Sequence, residues 1–293
     1  MKAAPFDYVR PRDLDEACAI LAAEEGARVI AGGQTLVPMM AMRLARPTHL
    51  IDIARIPELA FVRQDGDAIV IGATTRQCTI ERDRLVAGRL PLLAKAIPWI
   101  GHAATRARGT LGGSLAHADP AAELSLVAVA LEGSIAYREG AQSSAIAAAD
   151  FFIAPTITAL PTAACLTGVR FPVWREARVG TGFQEVSARR SDFAFASAAA
   201  QLALDVEGGC RRIALAIGAV TDFPVRLTQT EQALTGRRID PITVRAAVLD
   251  AVAAIEATSD VHASAAYRRR AAATLATRAI MEAHAEAQSA GRA

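Results

Sequence analysis

The sequence predicts an α+β protein in which two consecutive α/β units are followed, from about residue 175, by strands and then helices. Three observations support this fold class. An apolar strand at 28–31 runs directly into glycines at 32–33, and a second glycine-rich segment lies at 109–114. Long strand-like segments follow residue 175, and the stretch from residue 230 onward is rich in alanine, which favours helices.

The first α/β unit alternates strands and helices over about 55 residues. Asp13 is typical of an N-cap, and Gly26 is placed to end the helix that Asp13 begins. Pro38 must lie in the first turn of the next helix, because proline is tolerated there. The predicted elements are a strand at 6–9, a helix at 13–26, a strand at 28–31, a short helix at 36–44 and a strand at 49–53.

The second unit begins with a hairpin whose turn, Asp65-Gly66, favours positive φ. A mostly helical stretch at 82–100 leads to the second glycine-rich segment. Asp119 and Pro120 then form an N-cap and N1 pair that opens a helix with the sequence AAELSLVAVAL, which begins at Ala121.

The third region is predicted to contain strands at 181–186, 193–206 and 211–220, followed by two or three helices. Pro241 is expected near the start of one of these helices. We predict a boundary near residue 175.

The composition indicates a folded protein without a nucleic-acid partner. Apolar residues make up 52% and aromatic residues 5% of the chain, so Ala, Val, Leu and Ile must form most of the core. The 32 basic and 30 acidic residues nearly cancel, and no block of one sign could bind a phosphate backbone. We expect neither export nor membrane insertion, because the N-terminal segment lacks a continuous apolar stretch and charges interrupt the alanine-rich ones.

The four cysteines are far apart in the sequence and form no CxxC pair. This spacing is not typical of a zinc site, an iron–sulfur site or a secreted disulfide framework. We therefore expect no metal site in this chain and a reducing, cytoplasmic location. The cysteines are Cys18, Cys78, Cys165 and Cys210.

The first glycine-rich segment, VIAGGQT at 29–35, follows a strand. Successive glycines at a strand end can turn backbone N–H groups toward an anion such as a pyrophosphate. A sharp turn without a ligand explains the segment equally well. It lacks the GxGxxG spacing of a dinucleotide fold and the GK[ST] of a Walker A loop.

The second segment, RGTLGGSLAHADPAAE at 108–123, has similar chemistry. Gly109, Gly112 and Gly113 allow close backbone approach, while Thr110 and Ser114 supply hydroxyl groups. Glu123 could accept hydrogen bonds from ribose hydroxyls, although an acidic residue in a first helical turn is more simply explained by the helix dipole.

Two histidines lie near the second segment, and no motif predicts a catalytic residue. His102 and His117 could line a cofactor site, but surface or structural roles are more common for single histidines near turns. Neither has a second metal ligand at a suitable spacing. No Ser-His-Asp arrangement or pair of carboxylates for acid–base catalysis is apparent, and Asp119 is better explained as a cap.

Five segments together resemble the FAD-binding medium subunits of molybdenum hydroxylases, the family of the carbon monoxide dehydrogenase flavoprotein subunit and the xanthine dehydrogenase flavin domain. The resemblance covers nearly the whole chain. The segments, in the family's order, are AGGQTLVPMMAMRL (31–44) with the THLIDI that follows, GTLGGSLAHADPAAEL (109–124), CLTGVRFP (165–172) and SDVHASAAYRRR (259–270).

The resemblance implies an FAD-binding PCMH-type domain at 1–175, with subdomains at about 1–57 and 58–175. A carbon monoxide dehydrogenase flavoprotein C-terminal-like domain would follow at 176–293, with a three-stranded antiparallel sheet and a helical bundle. The implied cofactor is non-covalent FAD. Among the implied FAD-binding residues, Glu123 would hold the ADP ribose, and Ile100 and Leu166 would pack around the cofactor. The full implied set is Ala31, Gly32, Gly33, Gln34, Thr35, Leu36, Ile100, His102, Gly109, Thr110, Leu111, Gly112, Gly113, Ser114, Glu123 and Leu166.

Two departures from the family pattern limit what the resemblance implies. Many relatives carry an isoleucine and an asparagine where this chain has Thr105 and Ala107. We therefore assign no cofactor contact to either position. Gln184 stands where the xanthine dehydrogenase type tends to have a lysine near the flavin, so a nicotinamide acceptor is not implied.

The resemblance also implies partner subunits. A large subunit would bind molybdopterin and oxidise the substrate, and a small subunit with 2Fe–2S clusters would pass electrons to the FAD of this chain, which would pass them to an external acceptor. The expected assembly is a dimer of heterotrimers. Two alternatives stay open: a self-sufficient oxidase of the vanillyl-alcohol-oxidase type, and a structural subunit that has lost its cofactor.

Overall fold

A computed structural model describes residues 2–290, and its first region is a small α/β unit. The unit contains a three-stranded parallel sheet in the order β1-β3-β2. Asp13 caps α1 as predicted, since its carboxylate accepts the Glu16 N–H at 2.9 Å. The helix ends at Ala23, earlier than expected, and Gly26 lies in the following turn with φ +80°. The elements are β1 (Asp7–Val9), α1 (Leu14–Ala23), β2 (Arg28–Ile30), α2 (Leu36–Ala41) and β3 (His49–Asp52).

The second region is built on a five-stranded antiparallel sheet, in the order β4-β5-β10-β6-β7. The predicted hairpin is present, and Gly66 in its turn has φ +60°. The elements are β4 (Val62–Asp65), β5 (Ala68–Gly72), α3 (Gln77–Arg82), α4 (Arg84–Arg89), α5 (Pro91–Ala96), α6 (Ala103–Arg108), α7 (Leu111–His117), α8 (Glu123–Ala130), β6 (Ser134–Glu139), β7 (Gln142–Ala147), α9 (Ala148–Phe151), β8 (Phe152–Ala154), β9 (Ile157–Thr158) and β10 (Ala164–Pro172), with short 3₁₀ helices at Pro57–Leu59 and Ile97–Trp99.

Helix α8 begins two residues later than the predicted start at Ala121. Asp119 caps a turn and not the helix, because its carboxylate accepts the Ala121 N–H at 2.8 Å while Ala122 stays extended. The Pro120 carbonyl accepts the N–H of Ala219 at 2.8 Å, and this bond ties the turn to the third region. The late start of the helix thus follows from a long-range contact.

The third region contains the predicted antiparallel sheet, with three long strands and a two-residue fourth strand at its edge, in the order β11-β12-β13-β14. Helix α12 packs along β11 and β12. Glycines permit this packing, because a Cβ at Gly180 or Gly182 would overlap the backbone of α12. The elements are β11 (Val179–Ser187), β12 (Ala194–Leu204), β13 (Cys210–Gly218), β14 (Val225–Arg226), α10 (Thr228–Leu234), α11 (Pro241–Ala253) and α12 (Ala265–Ala290).

The second and third regions share a hydrophobic core. Helices α5 and α8 pack against β11, β12 and β13 on the face opposite α12. Phe183, Ala199 and Ala216 of the third sheet belong to the same buried cluster as Leu111, Leu124 and Phe171 of the second region. The sheet of the third region therefore covers helices α5 and α8 of the second region.

The basic run 268–270 is not a uniform solvent-exposed surface. Arg268 is 5% exposed, and its guanidinium donates to Asp260 at 2.6 Å and to the carbonyl oxygens of Phe195 and Ala219. This residue therefore anchors α12 to the sheet. None of the helices within residues 2–290 combines the length and apolarity needed to cross a bilayer.

Candidate cofactor site

The first glycine-rich segment leaves β2 and enters α2 within six residues, so its backbone must turn sharply. Gly33 makes this turn with φ +69°, in the left-handed region that favours glycine. Among residues 2–290, the N–H groups of Gly33, Gln34 and Thr35 donate to no backbone acceptor. Three N–H groups at a strand end that lack backbone acceptors are suited to an anion.

The second glycine-rich segment is tied more firmly to the protein. Thr110 is the N-cap of α7, and its hydroxyl accepts the Gly113 N–H at 3.1 Å. The Leu111 and Gly112 N–H groups donate to the carbonyl oxygens of Thr75 and Ala73, at 3.1 and 2.8 Å. These bonds fasten the segment to the chain that leaves β5.

The three glycines of the second segment differ in what a Cβ atom would meet at each position. A Cβ at Gly109 would lie 2.5 Å from the Gln77 Oε1 atom, and a Cβ at Gly112 would lie 2.7 Å from the Ala73 Cβ atom. Packing therefore requires glycine at both positions. Gly113 is exposed, and a Cβ there would meet only the Thr110 hydroxyl within 4 Å. The fold leaves space over Gly113 that a ligand can occupy.

The two segments touch each other. Gly32 is buried, and a Cβ at this position would overlap the Arg108 carbonyl oxygen and lie 3.0 Å from the Gly109 Cα atom. The backbone of each segment therefore lies against that of the other. Segments 77 residues apart in the sequence, counted from Gly32 to Gly109, thus meet at one place.

The other predicted residues have different surroundings. Ile100 and Leu166 are 8% and 6% exposed and belong to the same buried cluster as Leu111. His102 is exposed at the N-cap of α6, where its side chain makes no capping bond. Glu123 is the first residue of α8; burial raises its carboxyl pKa to about 7, and the nearby charge of Asp119 also raises it.

Sequence reasoning missed a second carboxyl, on a half-buried residue, that has a raised pKa. Burial raises the pKa of Glu185, on β11, to about 8, and the charge of Glu123 contributes in the same direction. The neighbouring Gln184 faces the opposite way and donates to the Glu282 carboxylate at 2.8 Å. The alternation of side chains along a strand is the signal that could have separated these two positions.

The fold and the paired glycine loops define a class of two-part cofactor-binding proteins, and comparisons identify the family. The model "FAD binding domain in molybdopterin dehydrogenase" matches residues 4–174, and "CO dehydrogenase flavoprotein C-terminal domain" matches residues 181–283. The nicotine 6-hydroxylase medium subunit of Paenarthrobacter nicotinovorans is 35% identical, covering 97% of this chain and 99% of its own. The carbon monoxide dehydrogenase medium chain of Hydrogenophaga pseudoflava is 32% identical over 94% of this chain and 96% of its own.

Solved structures contain chains with the same fold as this one. Quinoline 2-oxidoreductase from Pseudomonas putida 86 contains a chain with a TM-score of 0.93 and 33% identity, covering 98% of this chain and 99% of that one. A carbon monoxide dehydrogenase from Hydrogenophaga pseudoflava gives the same values.

This chain belongs to the family of FAD-binding medium subunits of molybdenum hydroxylases. It is an oxidoreductase subunit with FAD as its cofactor, as the resemblance of its motifs implied. The relatives favour this function over a self-sufficient oxidase or a cofactor-free subunit.

Proposed function

We propose that this chain binds FAD non-covalently between its two glycine-rich segments and relays electrons from the 2Fe–2S clusters of a partner to an external acceptor. The observation that carries the proposal is the contact of Gly32 with Arg108 and Gly109, which brings both segments to one place. FAD, when bound, supplies the ability to take electrons singly and to release them in pairs.

The residues divide into three groups by the contact each would make. The N–H groups of Gly33, Gln34 and Thr35 would bind the pyrophosphate, while Glu123 would accept hydrogen bonds from the ADP ribose. The open space over Gly113 would allow close approach of the cofactor. The other residues of the two segments would wrap the pyrophosphate, while Ile100 and Leu166 would pack around the cofactor and His102 would line its site. These other residues are Ala31, Gly32, Leu36, Gly109, Thr110, Leu111, Gly112 and Ser114.

We also propose a domain division near residue 175, with subdomains at about 1–57 and 58–175 and a C-terminal domain at 176–293. The separate three-, five- and four-stranded sheets support it. The relatives are named "medium subunit" and "medium chain", and these names support a complex with one larger and one smaller partner subunit. We propose a large molybdopterin subunit and a small 2Fe–2S subunit, assembled as a dimer of heterotrimers in the cytoplasm.

The relay is tested by mixing the FAD-loaded chain anaerobically with the small subunit, after that subunit has been reduced with dithionite and desalted. We expect flavin absorbance to bleach only when the reduced small subunit is present. Absence of bleaching, or bleaching by the oxidised small subunit, would overturn the relay. Acid precipitation should leave the yellow colour in the supernatant, and colour in the pellet would contradict non-covalent binding.

A further inference from the structure

Strand β11 presents different side chains to its two neighbours. Gly180 and Gly182 lie against the backbone of α12, and Gln184 binds Glu282 on the same helix. Phe183 and Glu185 therefore point to the opposite face, because successive side chains of a strand alternate. Phe183 packs into the core of the FAD-binding region, with its ring centroid 5.8 Å from that of Trp99. Glu185 thus faces the FAD-binding region.

Helix α8 covers this face of the sheet near Glu185. Glu185 pairs with Ser197 on β12, and Ser197 pairs with Gly218 on β13. A Cβ at Gly218 would lie 2.8 Å from the Ser197 hydroxyl oxygen and 3.5 Å from the Leu126 Cδ2 atom of α8. Helix α8 therefore lies over this row of residues, and Glu123 at its first position raises the pKa of Glu185.

The Glu185 carboxyl has a hydrogen-bonding group that the described chain does not satisfy. Its Oε2 atom is buried and has no hydrogen-bond partner within residues 2–290. No Lys, Arg or His of that same range forms an ion pair with Glu185 or with Glu123. A buried polar atom without a partner is costly, and a site that keeps one is commonly completed by a ligand or water.

The chemistry around the Oε2 atom of Glu185 indicates which kind of ligand group would be its hydrogen-bond partner. The charge of Glu123 already disfavours ionisation of Glu185, so a further anion such as a phosphate would be repelled here. An apolar group would leave the Oε2 atom without a partner. A hydroxyl group is uncharged and donates a hydrogen bond, which is what a carboxyl oxygen accepts.

We propose that Glu185 is an FAD-binding residue of the C-terminal sheet, and that its carboxyl accepts a hydrogen bond from a sugar hydroxyl of the cofactor beside Glu123. This inference rests on the proposed function, because it requires FAD at the paired glycine segments. It makes the third region part of the cofactor site itself. The hydroxyl belongs either to the ADP ribose or to the ribityl chain, which share this chemistry.

The test uses the complete enzyme complex after removal of its FAD, and FAD is titrated back while flavin fluorescence is followed. We expect Glu185→Leu to raise the dissociation constant of FAD about tenfold or more, because a hydrogen bond to a charged or polarised group is lost. Glu185→Gln keeps an acceptor oxygen and should stay within about threefold of wild type. Gln184→Leu, on the opposite face of β11, is the matched control and should bind FAD as wild type does.

A second measurement separates binding from folding. The thermal midpoint of Glu185→Leu without FAD should equal or exceed that of wild type, since a buried unpaired carboxyl is replaced by an apolar group. ADP, used as a competitor of FAD, distinguishes the two sources of the hydroxyl. Weaker ADP competition in Glu185→Leu assigns the ribose, and unchanged ADP competition with weaker FAD binding assigns the ribityl chain.

Two results would overturn the inference: unchanged FAD affinity in Glu185→Leu, or an equal loss in Gln184→Leu. Failure of the wild-type complex to bind FAD would instead reject the proposed function.

Discussion

The two glycine-rich segments look alike in sequence but differ in what their glycines do. In the first segment, Gly33 adopts positive φ, and the N–H groups from Gly33 to Thr35 have no backbone acceptor within residues 2–290. In the second segment, the N–H groups of Leu111, Gly112 and Gly113 are already bonded to the protein.

The difference assigns separate tasks to the two segments. The first has N–H donors without backbone acceptors, so in the proposed site it would supply most of the electrostatic stabilisation of the pyrophosphate. The second is a fixed platform, because Gly112 is packed against Ala73 and Gly113 alone is open. A glycine in such a segment therefore indicates a ligand only where the protein itself does not fill the space.

The largest effect is expected for Gly112→Val. Its side chain would overlap Ala73, whose backbone cannot yield without disturbing β5. We expect the free energy of unfolding to fall by about 3 kcal/mol, with FAD binding lost as a consequence. Denaturant unfolding of the protein without FAD measures this change. A variant of wild-type stability would show that packing does not require this glycine.

Gly113→Val should separate binding from folding. A β-branched side chain would occupy the space over this position, and within the protein its Cβ would meet only the Thr110 hydroxyl, at 2.7 Å, so that one side chain would have to turn aside. We expect FAD affinity to fall by about a hundredfold, roughly 2.7 kcal/mol, while unfolding changes by less than about 1 kcal/mol. Flavin absorbance should therefore show the loss of FAD, while far-ultraviolet circular dichroism should show a folded protein. Stoichiometric FAD in this variant would be incompatible with our position for the cofactor.

Gly33→Ala tests the first segment, and Gly66→Ala is its matched control. Both glycines have positive φ, +69° and +60°, so alanine should cost each about 1 kcal/mol in unfolding free energy. Gly66 lies in the hairpin turn with nothing near its missing side chain. We expect FAD affinity to fall only in Gly33→Ala. Equal FAD binding by both variants would mean that the turn at Gly33 does not shape the site.

The last prediction concerns pH. The pKa values of Glu123 and Glu185 are raised in the folded protein to about 7 and about 8, from an ordinary value of 4.5. Between pH 4.5 and the raised pKa values, the folded state therefore binds more protons than the unfolded chain does. The stabilising contribution is complete below pH 4.5 and is lost as pH rises through the folded values.

We expect unfolding of the FAD-free protein to become easier as the pH rises from about 5 to about 8, because both carboxyls keep protons in the folded state that the unfolded chain has already released. Glu185→Gln should reduce this slope, because the amide does not titrate. A slope of the opposite sign, or one unchanged in Glu185→Gln, would argue against a buried neutral carboxyl at this position.

Local patterns were sufficient for much of the fold. Asp13 caps its helix and Gly66 turns its hairpin as predicted, because both act through the backbone of their immediate neighbours. Motif order implied the family, which the comparisons confirm. The roles of the individual FAD-binding residues and the boundary near residue 175 remain predictions.

What the sequence by itself determined is the elements of the first unit, the first hairpin of the second unit, the long strands of the third region and the two glycine-rich segments, since short-range backbone geometry controls them. The strands β6, β7 and β10 of the second sheet were not predicted. Only the tertiary structure decided where α8 begins, because Ala219 bonds to Pro120 from 99 residues away. It also decided that Arg268 is buried and that Glu185 lies on the face of β11 that helix α8 covers. Burial and unsatisfied hydrogen bonds depend on which distant segments pack together, and no local pattern contains that information.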